Sequence, residues 1–146
     1  MNYELKKATE EDIPRLIRYK LASILDYAYQ LSEEEKNKIV NYVNNQVPLQ
    51  IEQYNVICVD NEKIGCLLVE KKSEGVLLDE IYIERDYRNR GIGSDILRYV
   101  INKNNIVYLW VYKLNKKAIK LYKEFGFEII EETDSRYHMQ IKRIHE

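Results

Sequence analysis

The sequence predicts a mixed α/β domain in which an antiparallel meander feeds strand–helix–strand units. Three observations carry this. Helical spacing fills the first third of the chain, behind two acid-rich helix starts. The period then changes to three short strands with tight turns between them. Beyond those, two helical stretches alternate with apolar strand segments.

Residues 2–8 read as the first strand. Thr9 precedes Glu10, Glu11 and Asp12, an N-cap followed by acidic first-turn residues in the spacing of a capping box. Ile13, Leu16, Ile17, Leu21, Ile24, Leu25 and Ala28 then recur at helical spacing, one buried face over about four turns. Pro14 falls in the first turn, where its missing N–H costs nothing. Ser32 and Glu35 form a second capping box, and the helix behind them is expected to run to about Asn45 and stop before Pro48.

Tyr54–Val59 reads as a strand, 60–63 as a turn and Ile64–Lys71 as a second strand. Ser73, Glu74 and Gly75 turn the chain into a third strand, Val76–Ile83. A helix is expected from Gly91 to about Lys103, with Ile92, Ile96, Leu97, Val100 and Ile101 on one face. Ile106–Tyr112 is apolar throughout, as expected of a strand buried on both faces. Asn115 caps a short helix with Ala118, Leu121, Tyr122 and Phe125 on its inner stripe, and Gly126 stops it. Phe127–Glu132 and Tyr137–Arg143 are the final strands.

With 146 residues, a single domain over 1–146 is expected. Apolar residues at 45% and charged residues at 32% suffice for a core and exclude a disordered chain. The formal net charge of −1 gives no basic excess for nucleic-acid binding. The longest apolar run, Ile106–Tyr112, has seven residues, far short of the about 20 that a membrane span needs. The first seven residues hold no apolar signal core, so a cytoplasmic location is expected. Cys58 and Cys66 form no Cys-x-x-Cys pair, and the two histidines, His138 and His145, lie far from them, so no metal site is expected. Both cysteines read as small core residues. The 13 tyrosines suit half-buried strand positions, where an apolar ring carries a polar tip.

The segment from Ile81 to Ser94 places a basic, glycine-bearing loop between a strand and a helix start. Free N–H groups and a partial positive charge make such a start an anion site. Gly91 and Gly93 lack the Cβ atoms that would hold a phosphate off the backbone, and Arg88 and Arg90 supply cationic donors. A P-loop would need Gly-Lys-Ser/Thr, which is absent. A dinucleotide loop would need a third glycine where Ile96 stands and an acid about 20 residues on.

The second motif is Asn115-x-x-Ala118-x-x-Leu121-Tyr122-x-x-x-Gly126-Phe127. In register with the glycine loop, it resembles the GNAT N-acetyltransferase superfamily over about residues 75–130. Arg88-x-x-Gly91-x-Gly93 looks like that family's pyrophosphate loop, and the later segment like its Asn-x-x-Ala-x-x-Leu-Tyr motif. Family members often carry proline where Arg85 stands and glycine where Asn89 stands. Asparagine tolerates positive φ better than most residues.

The resemblance implies a GNAT-like fold, a central, mostly antiparallel sheet of about six to seven strands flanked by about four helices. It implies acetyl-CoA as co-substrate. The pyrophosphate would rest on the backbone of Arg88, Asn89, Arg90, Gly91, Ile92, Gly93 and Ser94. The pantetheine arm would pair with Ile81, Tyr82 and Ile83 like an added strand, in a gap between two splayed central strands. Asn115 would cap its helix and touch the arm. The implied reaction is transfer of an acetyl group to a primary amine of a small molecule or peptide by direct attack. Acetylation of protein N-termini or lysines, or non-catalytic sensing of acyl-CoA, are the alternatives. The expected partners are acetyl-CoA and an amine acceptor, with a homodimer allowed and neither nucleic acid nor membrane.

Acetyl transfer needs a deprotonated amine, a stabilised oxyanion and a protonated leaving thiolate. Tyr122 matches the family's general acid. Glu80 and Asp79 are the candidates for the base, with water alone as a third route. Adjacent strand residues point to opposite faces, so Glu80 should share a face with Tyr82, and Asp79 with Ile81 and Ile83. A backbone N–H near Ile83 would meet the oxyanion. The acceptor pocket would draw on Asp26, Tyr27, Tyr29, Tyr137 and His138, a lining that suits a cationic amine. His138 reads first as a satisfied strand histidine.

Overall fold

Both acid-rich helix starts form as their residues dictate. A computed structural model of the chain describes residues 2–28 and 30–143. After strand β1 (Glu4–Lys7), the Asp12 carboxylate accepts from the Thr9 N–H at 2.9 Å and opens a short 3-10 turn, Glu10–Asp12. Helix α1 (Ile13–Leu25) follows, and helix α2 (Glu33–Leu49) opens on the reciprocal Ser32–Glu35 box, with both bonds at 3.1 Å. α2 runs through Pro48 rather than stopping before it. In the last turn a proline removes one hydrogen bond at most, and the Gln50 N–H still reaches the Val47 carbonyl at 3.0 Å.

Strands β2 (Tyr54–Val59), β3 (Glu62–Lys71) and β4 (Val76–Ile83) make the antiparallel meander. β3 starts two residues before the expected Ile64, because Asp60 and Asn61 both take positive φ and close a two-residue hairpin. Helix α3 (Ile92–Lys103), strand β5 (Ile106–Tyr112), helix α4 (Lys116–Phe125) and strands β6 (Glu128–Glu132) and β7 (Arg136–Lys142) complete the chain. The sheet order is β1-β2-β3-β4-β5-β7-β6, and every neighbouring pair is antiparallel except β4–β5.

Two cores sandwich the sheet. Leu16, Tyr19, Val43 and Val47 of α1 and α2 pack on Tyr54, Val56, Cys58, Cys66 and Leu68. The α3 stripe of Ile92, Ile96, Leu97, Val100 and Ile101 packs with Ile119 of α4 on the other side, against Val107, Leu109, Val111 and Met139. Both cysteines are buried and free. Contrary to expectation, β5 is buried on one face only: Tyr108, Trp110 and Tyr112 alternate as half-buried residues. Their side of β5 lies beyond the strands that α1 and α2 cover. No helix among the described residues is long and apolar enough to cross a membrane.

Asp12 joins the first helix to the sheet, because its carboxylate also accepts from Lys63 Nζ at 2.6 Å. Burial alone would raise its pKa, but the Lys63 ammonium and the Thr9 N–H outweigh this and hold it below the usual carboxylate value. A folded pKa below the unfolded one gives stability that is present above the unfolded value and lost as pH falls through the folded value. Asp12→Asn should therefore cost about 1–3 kcal/mol at neutral pH. The difference from wild type should vanish well below about pH 4, as read from urea unfolding at both pH values.

Candidate active site

β4 and β5 pair at two positions only, Val76 with Val107 and Leu77 with Tyr108, and then part. The parting starts at a bulge: Leu68 faces Glu80 and Val69 faces Leu78, so Asp79 is the extra residue of β4. Beyond it, the Glu84 N–H donates to the Ile64 carbonyl at 2.7 Å. Alternation of an antiparallel ladder then ties Tyr82 to β3 and turns the main-chain groups of Ile81 and Ile83 toward the gap. The gap is the floor of a cleft of about 1070 Å³, walled by α1 and α2 on one side and by α3 and α4 on the other.

The glycine loop forms one end of this cleft. After a short 3-10 turn at Arg85–Tyr87, Asn89 takes φ +63° and Gly91 takes φ +86°, and α3 begins at Ile92. Asparagine thus meets the conformational demand at 89. The first-turn amides of Ile92, Gly93 and Ser94 have no intrahelical acceptor, and these residues line the cleft. A Cβ added at Gly91 would meet no protein atom within 4 Å, and one at Gly93 only Ile83 Cδ1 at 3.4 Å. The bare backbone suits an anion, and Arg88 adds a guanidinium. Arg88 Nε donates to the Ile83 carbonyl at 2.6 Å, and its guanidinium lies 5.2 Å from the Tyr82 ring centroid. Lys117 Nζ on α4 donates to Asn89 Oδ1 at 2.6 Å and ties the loop to the next helix. Ten of the eleven residues expected at the donor site line the cleft. The exception is Arg90, which stacks on Tyr87 at its margin.

Asp79 and Glu80 do not alternate as a regular strand would. The bulge brings both carboxylates toward Lys20 of α1, whose Nζ lies 3.1 Å from Glu80 Oε1 and 4.0 Å from Asp79 Oδ2. Glu80 does share the Tyr82 face, while Asp79 departs from the face of Ile81 and Ile83. Glu80 is buried and also accepts from the Tyr54 hydroxyl at 2.9 Å and the Cys66 thiol at 3.3 Å. Burial pulls the Lys20 ammonium down, but the two carboxylates more than offset this and its pKa ends raised. Burial, then the Glu80 charge, pushes the Tyr54 and Cys66 protons on more tightly.

Asn115 Oδ1 accepts from the Ala118 N–H at 3.2 Å and caps α4. One helical turn beyond Ala118, Tyr122 lines the cleft, packed edge-on against Phe127 with centroids 5.7 Å apart. Burial pushes its phenol up to about 12. Of the residues expected at the acceptor, Asp26 and Tyr27 line the cleft. Tyr29 lies outside the described residues, as does His145. Tyr137 packs into the α3–α4 core instead. His138 stacks on Trp110 at 4.3 Å and bonds Glu131 Oε1 at 2.7 Å, a satisfied strand histidine outside the lining. Sequence reasoning missed Lys20 and Lys117. Lys20 carried a signal, since it stands on the stripe of Leu16 and Ile24 at spacings of four.

Residues 50–129 match the family model described as an acetyltransferase (GNAT) domain. The chain is 38% identical to an uncharacterized N-acetyltransferase of Methanocaldococcus jannaschii over 79 residues, 51% of this chain and 34% of that protein. It is 32% identical to the spermine/spermidine N(1)-acetyltransferase of Bacillus subtilis over 71 residues, 44% of this chain and 47% of that protein. These matches thus span less than half the length of either relative. Among solved structures, the PaiA N-acetyltransferase of Thermoplasma acidophilum in complex with coenzyme A superposes with a TM-score of 0.79 at 21% identity, covering 98% of this chain and 100% of that one.

Proposed function

The chain belongs to the GNAT acetyltransferase family, and from that premise we propose that it transfers an acetyl group from acetyl-CoA to a primary amine of a small molecule or peptide. The observation that carries the reading is the parted β4–β5 pair, with inward-facing main chain at Ile81 and Ile83 leading to the bare helix start at Gly91–Ser94. The solved neighbour with coenzyme A has the same fold, which supports the donor.

Acetyl-CoA supplies an acyl group on a good leaving thiolate. The residues of the chain do the rest. The amides of Ile92, Gly93 and Ser94, with Arg88, hold the diphosphate at the helix N-terminus. Ile81 and Ile83 pair with the pantetheine amides, and a main-chain N–H there receives the carbonyl oxygen as it gains negative charge. For the arm to pair at Ile83, the Arg88 guanidinium leaves that carbonyl and turns to the phosphates. A carboxylate of the Asp79–Glu80 pair, directly or through water, accepts the proton that the amine gives up. The new bond joins the amine nitrogen to the acetyl carbon, the carbon–sulfur bond breaks, and the sulfur leaves as thiolate. Tyr122 meets that sulfur. A phenol near 12 holds its proton against a thiolate of ordinary pKa about 8.5, so Tyr122 stabilises the leaving group by donating a hydrogen bond, and the thiol proton comes finally from solvent.

Thiol release from acetyl-CoA, followed over spermine, spermidine, L-amino acids and a short peptide with a free N-terminus, tests the activity. Release that depends on one of these amines is expected. No coenzyme A binding by calorimetry, together with no amine-dependent release, would end the reading. Tyr122→Phe should lower kcat by roughly 10²-fold and leave coenzyme A affinity within about twofold, and an unchanged kcat would remove the phenol from the reaction. Gly93→Ala should weaken coenzyme A binding by about 10- to 100-fold, the worth of one charge-assisted hydrogen bond at roughly 1.5–3 kcal/mol. The same change should raise thermal stability, because alanine is the better helix former by about 0.8–1 kcal/mol. A stabilised variant that binds coenzyme A as tightly as wild type would refute the loop assignment.

A further inference from the structure

We propose that Lys20 is a positioning residue for the two carboxylates of β4: it commits Glu80 to a buried ion pair and leaves Asp79 as the group that takes the acceptor's proton. This rests on the acetyl-transfer reading above and decides between its two acids.

The two carboxylates differ in what they have left to offer. Glu80 has a side chain 3% exposed, with Lys20 Nζ at 3.1 Å and the Tyr54 hydroxyl at 2.9 Å on one oxygen, and the Cys66 thiol at 3.3 Å on the other. Three donors already occupy its two oxygens, which leaves it little room to accept from an incoming amine. The Asp79 side chain is 32% exposed, and its ion-pair partner Lys20 is 4.0 Å away, beyond hydrogen-bond reach. Both carboxylates line the cleft, but only Asp79 has a carboxylate open to an incoming amine or a bridging water.

Lys20 is itself 14% exposed. An ammonium so buried persists where carboxylates repay its desolvation, and the bulge at Asp79 supplies two on one side of the strand. The groups facing this pair come from every neighbouring element. α1 gives Lys20, with Asp26 and Tyr27 further along the cleft. β2 gives Tyr54 and β3 gives Cys66, both holding their protons. α2 brings the phenol of Tyr42 and the uncharged Gln46 and Gln50. Lys20 is the cation that both acids share. In the step, the amine N–H proton passes to the Asp79 carboxylate and on to water while the nitrogen–carbon bond forms and the carbon–sulfur bond breaks.

The test uses the full chain and the variants D79N, E80Q, K20M and K20R, with acetyl-CoA and whichever amine of the panel wild type turns over fastest. D79N should lower kcat by about 10²-fold or more with KM little moved, the loss expected of a missing base. E80Q should keep kcat within about tenfold, since its role is support. The Lys20 part is read from the split between kcat and KM and from rescue by the conservative variant. K20M should lower kcat by about tenfold or more with KM and coenzyme A affinity little moved, and K20R should return kcat. If K20M fails to fold, the neutral pair K20M/E80Q, set against E80Q alone, reads the same loss in kcat. A loss in E80Q as large as that in D79N would deny Asp79 its separate role as base, and a K20M that keeps wild-type kcat would release Lys20 from its role; either result overturns the inference while wild-type turnover leaves the acetyl-transfer reading standing. A wild type that binds no coenzyme A and turns over no amine overturns both.

Discussion

The structure turns on two parallel strands that cannot stay together. β4 and β5 hold two residue pairs and then diverge, in the middle of a sheet where every other neighbour pair runs on. Main-chain N–H and C=O groups inside a sheet demand partners. The divergence leaves those of Ile81 and Ile83 facing a gap, and one of them, the Ile83 carbonyl, takes the Arg88 side chain. A strand edge with open main-chain groups receives another extended chain readily. The bulge at Asp79 fixes where this edge opens, because the extra residue breaks the ladder and turns the strand.

That single displacement also sets the charges. In a regular strand, Asp79 and Glu80 would look toward opposite helical layers. With the bulge, they share Lys20, and α1 becomes electrically tied to the strand that borders the gap. A second tie lies lower on the same helix, where Tyr19 donates to Glu84, stacks on Tyr82 at 4.6 Å and sits beside Arg15. The strand that opens the cleft is thus held from one side by side chains of α1, and from the other by the α3–α4 core. The opening is braced by side-chain contacts from both helical layers.

How much of this the sequence disclosed follows from which interactions are local. Helix starts are local, so Thr9–Asp12 and Ser32–Glu35 could be read directly. The demand for positive φ at 89 is local too, and asparagine meets it. The strand ranges of β2, β4 and β5 came from turns and apolar runs that need no partner to be recognised. The bulge is different in kind. It is a mismatch between two strands, and period-two reading of β4 alone assumes that no mismatch exists. The same assumption put Asp79 on the wrong face. β5 misled for another reason: Tyr108, Trp110 and Tyr112 count as apolar in composition, but half-buried aromatic rings with polar tips serve a cleft wall as well as a core. Tyr137 went to the α3–α4 core because it pairs opposite Val111, a registration between strands far apart in sequence. Lys20 stood on an apolar stripe, and its meaning needed the acids of a distant strand.

Much of what faces the cleft is main chain rather than side chain. The groups left open at Ile81 and Ile83 are main chain, and so are those of the helix start at Ile92–Ser94. Such groups place no demand on residue type, only on conformation and clearance. Demand for residue type then falls where conformation or clearance is extreme: at Gly91, with φ +86°; at Gly93, where the side-chain position faces the cleft; and at Asn89, which replaces glycine at φ +63° and uses its amide oxygen to hold Lys117. Arg85 can stand where proline is common because it opens a 3-10 turn, a conformation that proline would favour but does not monopolise. The functional pattern in this chain is therefore a record of backbone geometry. Around it, the cleft holds the Tyr122 phenol and the Asp79–Glu80 pair anchored by Lys20, within walls formed by the helices.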